Sequence, residues 1–390
     1  MASGFSAQRL THLRDTMASY VERDEVPGIV TLVSRHGETH VDVFGESVAR
    51  DSIFRISSMT KPIAAVAAMI LVEECRLRLD DPVDDLLPEL ANLRVLRRIN
   101  GPVDDTVPAN RSITIRDVLT FRLGYGMLLE SPDEYPILQA VSDLGIGGFG
   151  PPDPNAPHGY DEWLRLLSTL PLLHQPGERW LYNTGYSVLG ILIERASGQP
   201  LETFLRERIF QPLGMHDTGF SVPSDKIHRL TDCYWGKNDD DTFRPFDPAE
   251  GSAYSQPPNF ADAGAGLVST IDDYAAFAQM LLNNGMHGNE RILSRPSVQV
   301  MTTNQLTPEQ IATGGVLLGE DRGWGFGISI TLRRDGIAAT PGRYGWDGGL
   351  GSTWYSDPEE NLIGILMCQT VINVRLFSDF WTSTYQAIDD

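Results

Sequence analysis

Apolar positions along this chain follow three rhythms in turn, and each marks a kind of element. Leu10, Leu13, Met17 and Tyr20 fall three and four residues apart, which predicts an amphipathic helix over residues 6–23. "GIVTLVSRHGETHVDVFGE" follows, two β-rich runs meeting at Arg35-His36-Gly37-Glu38, the pattern of a hairpin. Ile63 to Val72 is an unbroken apolar run that reads as a buried helix. Pro62 fixes its start, because proline is tolerated in a first helical turn and not deeper. Helical patterns over 114–121, 160–170, 186–197 and 200–209 alternate with long connections rich in Pro, Gly and Asp. "STIDDYAAFAQMLLNNG" predicts a capped helix closed by Asn-Asn-Gly. Beyond it "GWGFGISITL", "GSTWYSDP" and "NLIGILMCQTVI" are strand-like, with a terminal helix after them. Strands and a helix at each end, with a helical middle, predict an α+β protein whose sheet is built from both termini around a helical insertion.

Composition narrows the function. A net charge of −21 excludes a basic phosphate-binding surface, so neither nucleic acid nor an anionic membrane is an expected partner. Cys75, Cys233 and Cys368 are too few and too far apart for a disulfide framework or a paired zinc site, and are expected to be buried reduced thiols. The N-terminal stretch mixes charge throughout, and no apolar run approaches the ~20 residues of a membrane span. The expectation is a soluble cytoplasmic protein.

The chain has only three lysines, Lys61, Lys226 and Lys237; its other cations are arginines. Lys61 abuts the apolar run, where a desolvated amine loses its proton and a guanidinium does not. Ser58-Met59-Thr60-Lys61 is an S-x-x-K at a helix N-terminus. Residues three apart on a helix share a face, so hydroxyl and amine lie within mutual reach. That is a serine nucleophile with an adjacent base. Tyr182, just before a helix starting near Thr184 or Gly185, is a second candidate, able to relay a proton if a cation lowers its pKa. Gly348, Gly349 and Gly351 precede a strand and let backbone approach a ligand, so an N–H there could join that of Ser58 in an oxyanion hole. No G-x-S-x-G occurs, since "GYSVL" fails at its last position, and no H-E-x-x-H occurs either. A metal enzyme is not expected. The acidic "KNDDD" at 237–241 reads as a solvated loop.

An S-x-x-K, a tyrosine about 120 residues later and then a glycine-rich strand resemble the serine β-lactamase and penicillin-binding protein superfamily. The likeness to its class C branch spans nearly the whole chain, through "VPGIVTLVSRHGE", "FRISSMTKPIAA", "ITIRDVLTFRLGYG", "PLGMHDTGF", "GAGLVSTIDDYAAFAQMLLNNG" and "GWGFG". It is closest to the family VIII carboxylesterases. The resemblance implies an antiparallel sheet flanked by helices, formed by residues 1–80 and 261–390, with a mostly helical domain, 81–260, as the other wall of the active-site cleft. It implies Ser58 as nucleophile, Lys61 as general base and Tyr182 as the tyrosine of a Y-x-N motif whose third position is Thr184 here. Trp346-Asp347-Gly348 stands where K-T-G would, and Gly349 supplies the second oxyanion N–H. No cofactor is implied. A lysine at that position would attract a carboxylate; Trp346 offers an apolar face, and Asp347 repels a carboxylate if it faces the pocket. A neutral small-molecule ester suits this wall, with Tyr125, Met127 and Trp163 as candidates on the opposite one. Short-chain or aryl esters are the expected substrates. Acyl transfer, D-amino-acid amidase or peptidase activity, weak β-lactamase activity and a silent binding role on the same fold remain alternatives.

Overall fold

The structure is a computed structural model that describes residues 4–128, 135–147 and 157–389. Seven strands form its main sheet: β1 (Ile29–Arg35), β2 (Glu38–Phe44), β3 (Arg322–Trp324), β4 (Ser329–Thr331), β5 (Tyr344–Gly348), β6 (Ser352–Asp357) and β7 (Leu362–Cys368). Their order is β3-β4-β5-β6-β7-β1-β2, every neighbouring pair antiparallel. The α+β expectation holds. His36 and Gly37, at the β1–β2 turn, both take positive φ (51° and 85°), as the tight turn matching the twist of a hairpin requires.

Strand alternation divides the apolar residues between two layers. Val30, Leu32, Trp346, Trp354, Ile363, Ile365 and Met367 point into the larger cluster. Ile29, Val33, Tyr355, Leu362 and Leu366 point to the opposite face. There α1 (Ala7–Glu22) and the C-terminal helix α6 (Val374–Gln386) cover them with Leu13, Met17, Tyr20, Phe377, Phe380 and Trp381. The larger cluster continues without a break into the helical middle of the chain.

At its centre is α2 (Thr60–Glu73), buried from Thr60 through Leu71. A helix apolar all round belongs inside a large core rather than at its surface. It packs on α4 (Thr184–Ser197), while α5 (Ile271–Leu282), capped by Thr270 accepting from the Asp273 N–H, lies against β1, β6 and β7. Between α2 and α4 in sequence is α3 (Tyr160–Leu167).

Several expectations are corrected. "GWGFGISITL" is a hairpin rather than one strand, because Gly325 to Gly327 turn the chain between β3 and β4. The pattern over 200–209 starts as a helix, Leu201–Leu205, then widens to a π-turn, Arg206–Phe210. A helix over Pro136–Asp143 and hairpins at Arg94–Leu96/Thr106–Pro108 and Cys233–Lys237/Phe243–Asp247 had no clear sequence pattern. Cys233 and Cys368 are buried free thiols, but Cys75 is exposed, just past the C-terminus of α2. Among the described residues no helix is long and apolar enough to cross a membrane.

Candidate active site

Ser57 to Met59 form one 3₁₀ turn, and α2 begins at Thr60. The turn is fixed from three sides. Arg55, just before it, is buried and donates to Asp247, the Thr231 carbonyl and Ser252. Tyr274 Oη donates to the Met59 carbonyl (3.0 Å), and the Leu267 N–H donates to Thr60 Oγ1 (3.1 Å). Half-buried Ser58 is held at the mouth of α2, where N–H groups have no acceptor within the helix.

One turn on, Lys61 is wholly buried, its Nζ 2.9 Å from Ser58 Oγ and donating to the Gly264 carbonyl at 2.7 Å. Burial lowers its pKa from 10.5 to about 7, against the opposing pull of Asp262. A free amine there donates to Gly264 and keeps its lone pair for the serine proton. Asp262 was not apparent from sequence. Its carboxylate accepts from Ser187 Oγ and the Gly264 N–H, fixing the loop that presents the Gly264 carbonyl.

Tyr182 comes to the same place from the helical middle. The Leu181 N–H donates to the Phe121 carbonyl and the Met127 N–H to the Tyr182 carbonyl, both at 2.8 Å. Its ring lies under Lys61, Nζ 4.6 Å from the centroid, and its hydroxyl is hydrogen-bonded to Ser58. The next residue, Asn183, takes φ 85° and ψ −64°, values of a γ-turn that a non-glycine residue rarely adopts. Backbone strain of this kind persists only where its surroundings enforce it, and it sets the sharp entry into α4. The expectation that a cation would lower the Tyr182 pKa is not met. Burial raises it strongly, outweighing the bonds from Ser58 and Trp346, so the phenol stays protonated.

Trp346 on β5 donates its indole N–H to Tyr182 Oη at 2.6 Å. Around Tyr182 stand Phe121, Trp180, Trp324 and Trp346, with ring centroids 5.0 to 6.2 Å away. This aromatic shell dries the site and accounts for the direction of the Tyr182 shift. Its only sequence trace is the tryptophan spacing of "RWLY" and "GWGFG". Gly327, at φ 77°, closes it, because a Cβ there would meet the Lys61 carbonyl and the Tyr186 hydroxyl.

Gly348 is a point of close approach, but to the protein's own chain and not to a ligand: a Cβ would collide with the Ile56 carbonyl and with Ser352 Oγ. β5 therefore passes directly beside the Ser57–Met59 turn. Gly349 is exposed, 3.8 Å from Ser57 Oγ when measured from a Cβ built on it. Asp347 is a correction. Being one residue from Trp346, it points to the other face of the sheet, where its carboxylate accepts from Thr353 Oγ1 (2.6 Å) and Tyr355 Oη (3.4 Å). It is no part of the cleft wall.

A cleft of about 680 Å³ adjoins these groups through Asn183-Thr184 and Asp262 to Gly266. Ser58, Lys61 and Tyr182 are not among its lining residues, although Asn183, next to Tyr182, is. Tyr125, Met127 and Trp163 do line it, together with Ile137, Leu167 and Phe260. Tyr125 is tied there by donating to the Leu170 carbonyl, and Trp163 by donating to that of Ile146. Residues 129–134 and 148–156 of the expected wall lie outside the described residues. No lysine or arginine is among the described residues that line the cleft.

A sheet backed by helices, with a serine at the head of a buried helix facing a lysine and a tyrosine, defines the serine-hydrolase class of β-lactamase fold. Residues 13–381 match the Beta-lactamase family, and the chain belongs to it. It is 38% identical over 346 residues to an uncharacterised Mycobacterium tuberculosis protein, covering 86% of this chain and 82% of that one. It is 29% identical over 370 residues to esterase EstB of Burkholderia gladioli, covering 88% and 86%. Among solved structures it superposes on EstCE1, described as a hydrolase with promiscuous acyltransferase activity. The TM-score is 0.78 at 24% identity, over 97% of this chain and 99% of that one.

Proposed function

We propose that this protein is a serine carboxylesterase of the family VIII kind, acting through an acyl-enzyme on Ser58. The observation that carries the reading is the 2.9 Å contact between Ser58 Oγ and a wholly buried Lys61 lowered to about 7. Neutral Lys61 takes the Ser58 proton as Oγ bonds to the ester carbonyl carbon. The resulting oxyanion is held by the N–H groups of Ser58 and Gly349. The carbon–oxygen bond to the alcohol then breaks, and the proton returns from Lys61 through the Tyr182 hydroxyl to the departing alkoxide. Water then enters: its oxygen bonds to the acyl carbon as its proton passes through Tyr182 to Lys61. The bond from that carbon to Ser58 Oγ breaks, and Lys61 returns the proton to Oγ, releasing the carboxylic acid and free Ser58.

Neutral substrates follow from the walls. The described residues lining the cleft include no cation, and Trp346, where the resemblance would put a carboxylate-binding lysine, is buried against Tyr182 and brings no charge. Aryl and short alkyl esters fit the 680 Å³ available. Acyl transfer to an alcohol is a second reading, favoured by the same apolar cleft, which could seat an alcohol beside the acyl-enzyme.

The test is mass spectrometry of the protein after a fluorophosphonate probe, with p-nitrophenyl esters of C2 to C12 and nitrocefin assayed in parallel. A single adduct on Ser58, rapid turnover of short esters and slow nitrocefin hydrolysis are expected. An unlabelled Ser58, or an unchanged ester rate in Ser58→Ala, overturns the mechanism; fast nitrocefin with slow esters overturns the specificity. Added alcohol that diverts product to a new ester establishes the second reading.

A further inference from the structure

Among the described residues that line the cleft, Asp262 is the one carboxylate. Its Oδ1 accepts from two neutral donors, Ser187 Oγ on α4 at 2.9 Å and the Gly264 N–H at 3.0 Å. Other acids withdrawn from solvent hold a guanidinium: Asp117 that of Arg111, Asp217 that of Arg229 and Asp247 that of Arg55. Asp262 holds none among the described residues. The turn it begins is tied at both ends. The Asp262 carbonyl accepts from the Gly266 N–H at 2.8 Å, and Leu267, next in the chain, donates to Thr60 Oγ1 on α2. Between these ties the Gly264 carbonyl receives Lys61 Nζ at 2.7 Å.

Neutral Lys61 gives the Asp262 charge nothing to attract. Once Lys61 takes the Ser58 proton, an ammonium is left inside the core, where desolvation disfavours it. Among the described residues Asp262 is the one charged group acting on Lys61, and its pull opposes burial. The other titratable groups around them are turned to other partners or are neutral. Tyr160, Tyr182, Tyr186 and Tyr254 are phenols that burial keeps protonated. Tyr186 donates to the Leu119 carbonyl at 3.2 Å and Tyr160 to that of Ala261. His158, also lining the cleft, has Nε2 3.0 Å from the Leu144 carbonyl. Glu194, further along α4, accepts from the Leu201 N–H at 3.1 Å. A nucleophile and its base, with the base oriented by a third group, is the general form of an activated serine.

We propose that Asp262 is the third member of the Ser58–Lys61 pair, a positioning residue that aims Lys61 through the Gly264 carbonyl and stabilises the ammonium formed while Lys61 carries the serine proton. The inference rests on the esterase reading above and adds to it the group that sets the strength of its base.

The experiment follows two rates from pH 5 to 9.5: kcat/KM for p-nitrophenyl butyrate, and labelling of Ser58 by a fluorophosphonate. Asp262→Asn keeps an oxygen to accept from Ser187 and Gly264 and loses the charge. In both rates its half-plateau should fall below the wild-type value near 7 by about half a pH unit or more. Its plateau kcat should drop about three- to tenfold with KM little changed, because a weaker base drives the proton transfer less. Asp262→Ser, smaller and equally uncharged, is measured beside it and should shift the same way, urea unfolding confirming that both are folded. Asp262→Glu restores the charge and should bring the half-plateau back toward 7, which a merely structural role would never have moved. A half-plateau in the uncharged variants equal to or above that of wild type overturns the inference and leaves the esterase reading standing. A wild-type protein that neither takes the probe on Ser58 nor turns over ester removes that reading, and the inference with it.

Discussion

Replacing Lys61 by methionine should destroy activity and make the protein more stable. Lys61 sits wholly inside the core with its pKa lowered from 10.5 to about 7. At 1.36 kcal/mol for each tenfold change, holding it there disfavours folding by about 5 kcal/mol at pH 7. Methionine has a similar length and no charge to desolvate. Against this, the Gly264 carbonyl loses its donor, which costs about 1–3 kcal/mol. The net expectation at pH 7 is a gain of roughly 2–4 kcal/mol for Lys61→Met. The gain also has a pH signature. Between pH 7 and 10.5 the unfolded lysine holds a proton that the folded one has lost, so wild-type stability rises with pH. The difference should therefore shrink by about 1.4 kcal/mol per pH unit and vanish between about pH 8.5 and 10. Below pH 7 both states carry the proton and it levels off. Urea unfolding of both proteins at pH 6, 7, 8.5 and 9.5, followed by far-UV circular dichroism, measures it. A variant less stable than wild type at pH 7, or a gap that ignores pH, would refute the claim that Lys61 is held neutral by burial.

The same group fixes the pH dependence of catalysis: kcat/KM for p-nitrophenyl butyrate should rise with pH and reach half its plateau near 7, the value for Lys61. Lys61→Arg, which stays protonated, should lower kcat by ~10²–10⁴ across pH 6–9 in a stopped-flow assay. Trp346→Phe keeps an aromatic side chain and removes the N–H bonded to Tyr182, so kcat should fall about fivefold with KM little changed, a bond to that hydroxyl being worth ~1 kcal/mol. Gly348→Ala forces β5 off the Ile56 carbonyl and the Ser58 turn; ester turnover should drop ~10²-fold while thermal unfolding remains cooperative. Asp347→Asn, whose side chain faces away from the cleft, should leave kcat/KM for neutral esters within about twofold and reduce stability by ~1 kcal/mol on urea titration.

What the sequence made legible was local. The 3.6-residue rhythm of Leu13, Met17 and Tyr20, the unbroken apolar run after Pro62 and the capped "STIDDYAAF" each carry their own signal, because neighbours along one face are neighbours in sequence. S-x-x-K is likewise a one-turn relation, readable once the helix is placed. The aromatic shell is not local. It gathers Phe121, Trp180, Trp324 and Trp346 from four separate segments, and no short pattern announces such a meeting. Asp262 was hidden for the same reason, acting through Gly264 on a lysine two hundred residues earlier. The hairpin within "GWGFGISITL" was obscured by composition, since Gly325 and Gly327 sit inside an apolar run that otherwise reads as one strand. Asp347 could have been placed: once β5 is recognised as a strand, alternation sends it to the face opposite Trp346.

The ring of indoles around Tyr182 has an optical consequence. Three of the chain's seven tryptophans, Trp180, Trp324 and Trp346, stand within 6.2 Å of that phenol, centroid to centroid. Trp346 is bonded to its oxygen, so any change in the hydroxyl's partner alters the electrostatic field on an intrinsic fluorophore. Acyl-enzyme formation and decay on an unlabelled natural ester should therefore be visible as a rise and fall of emission in a single rapid-mixing trace. The reaction centre carries its own dye.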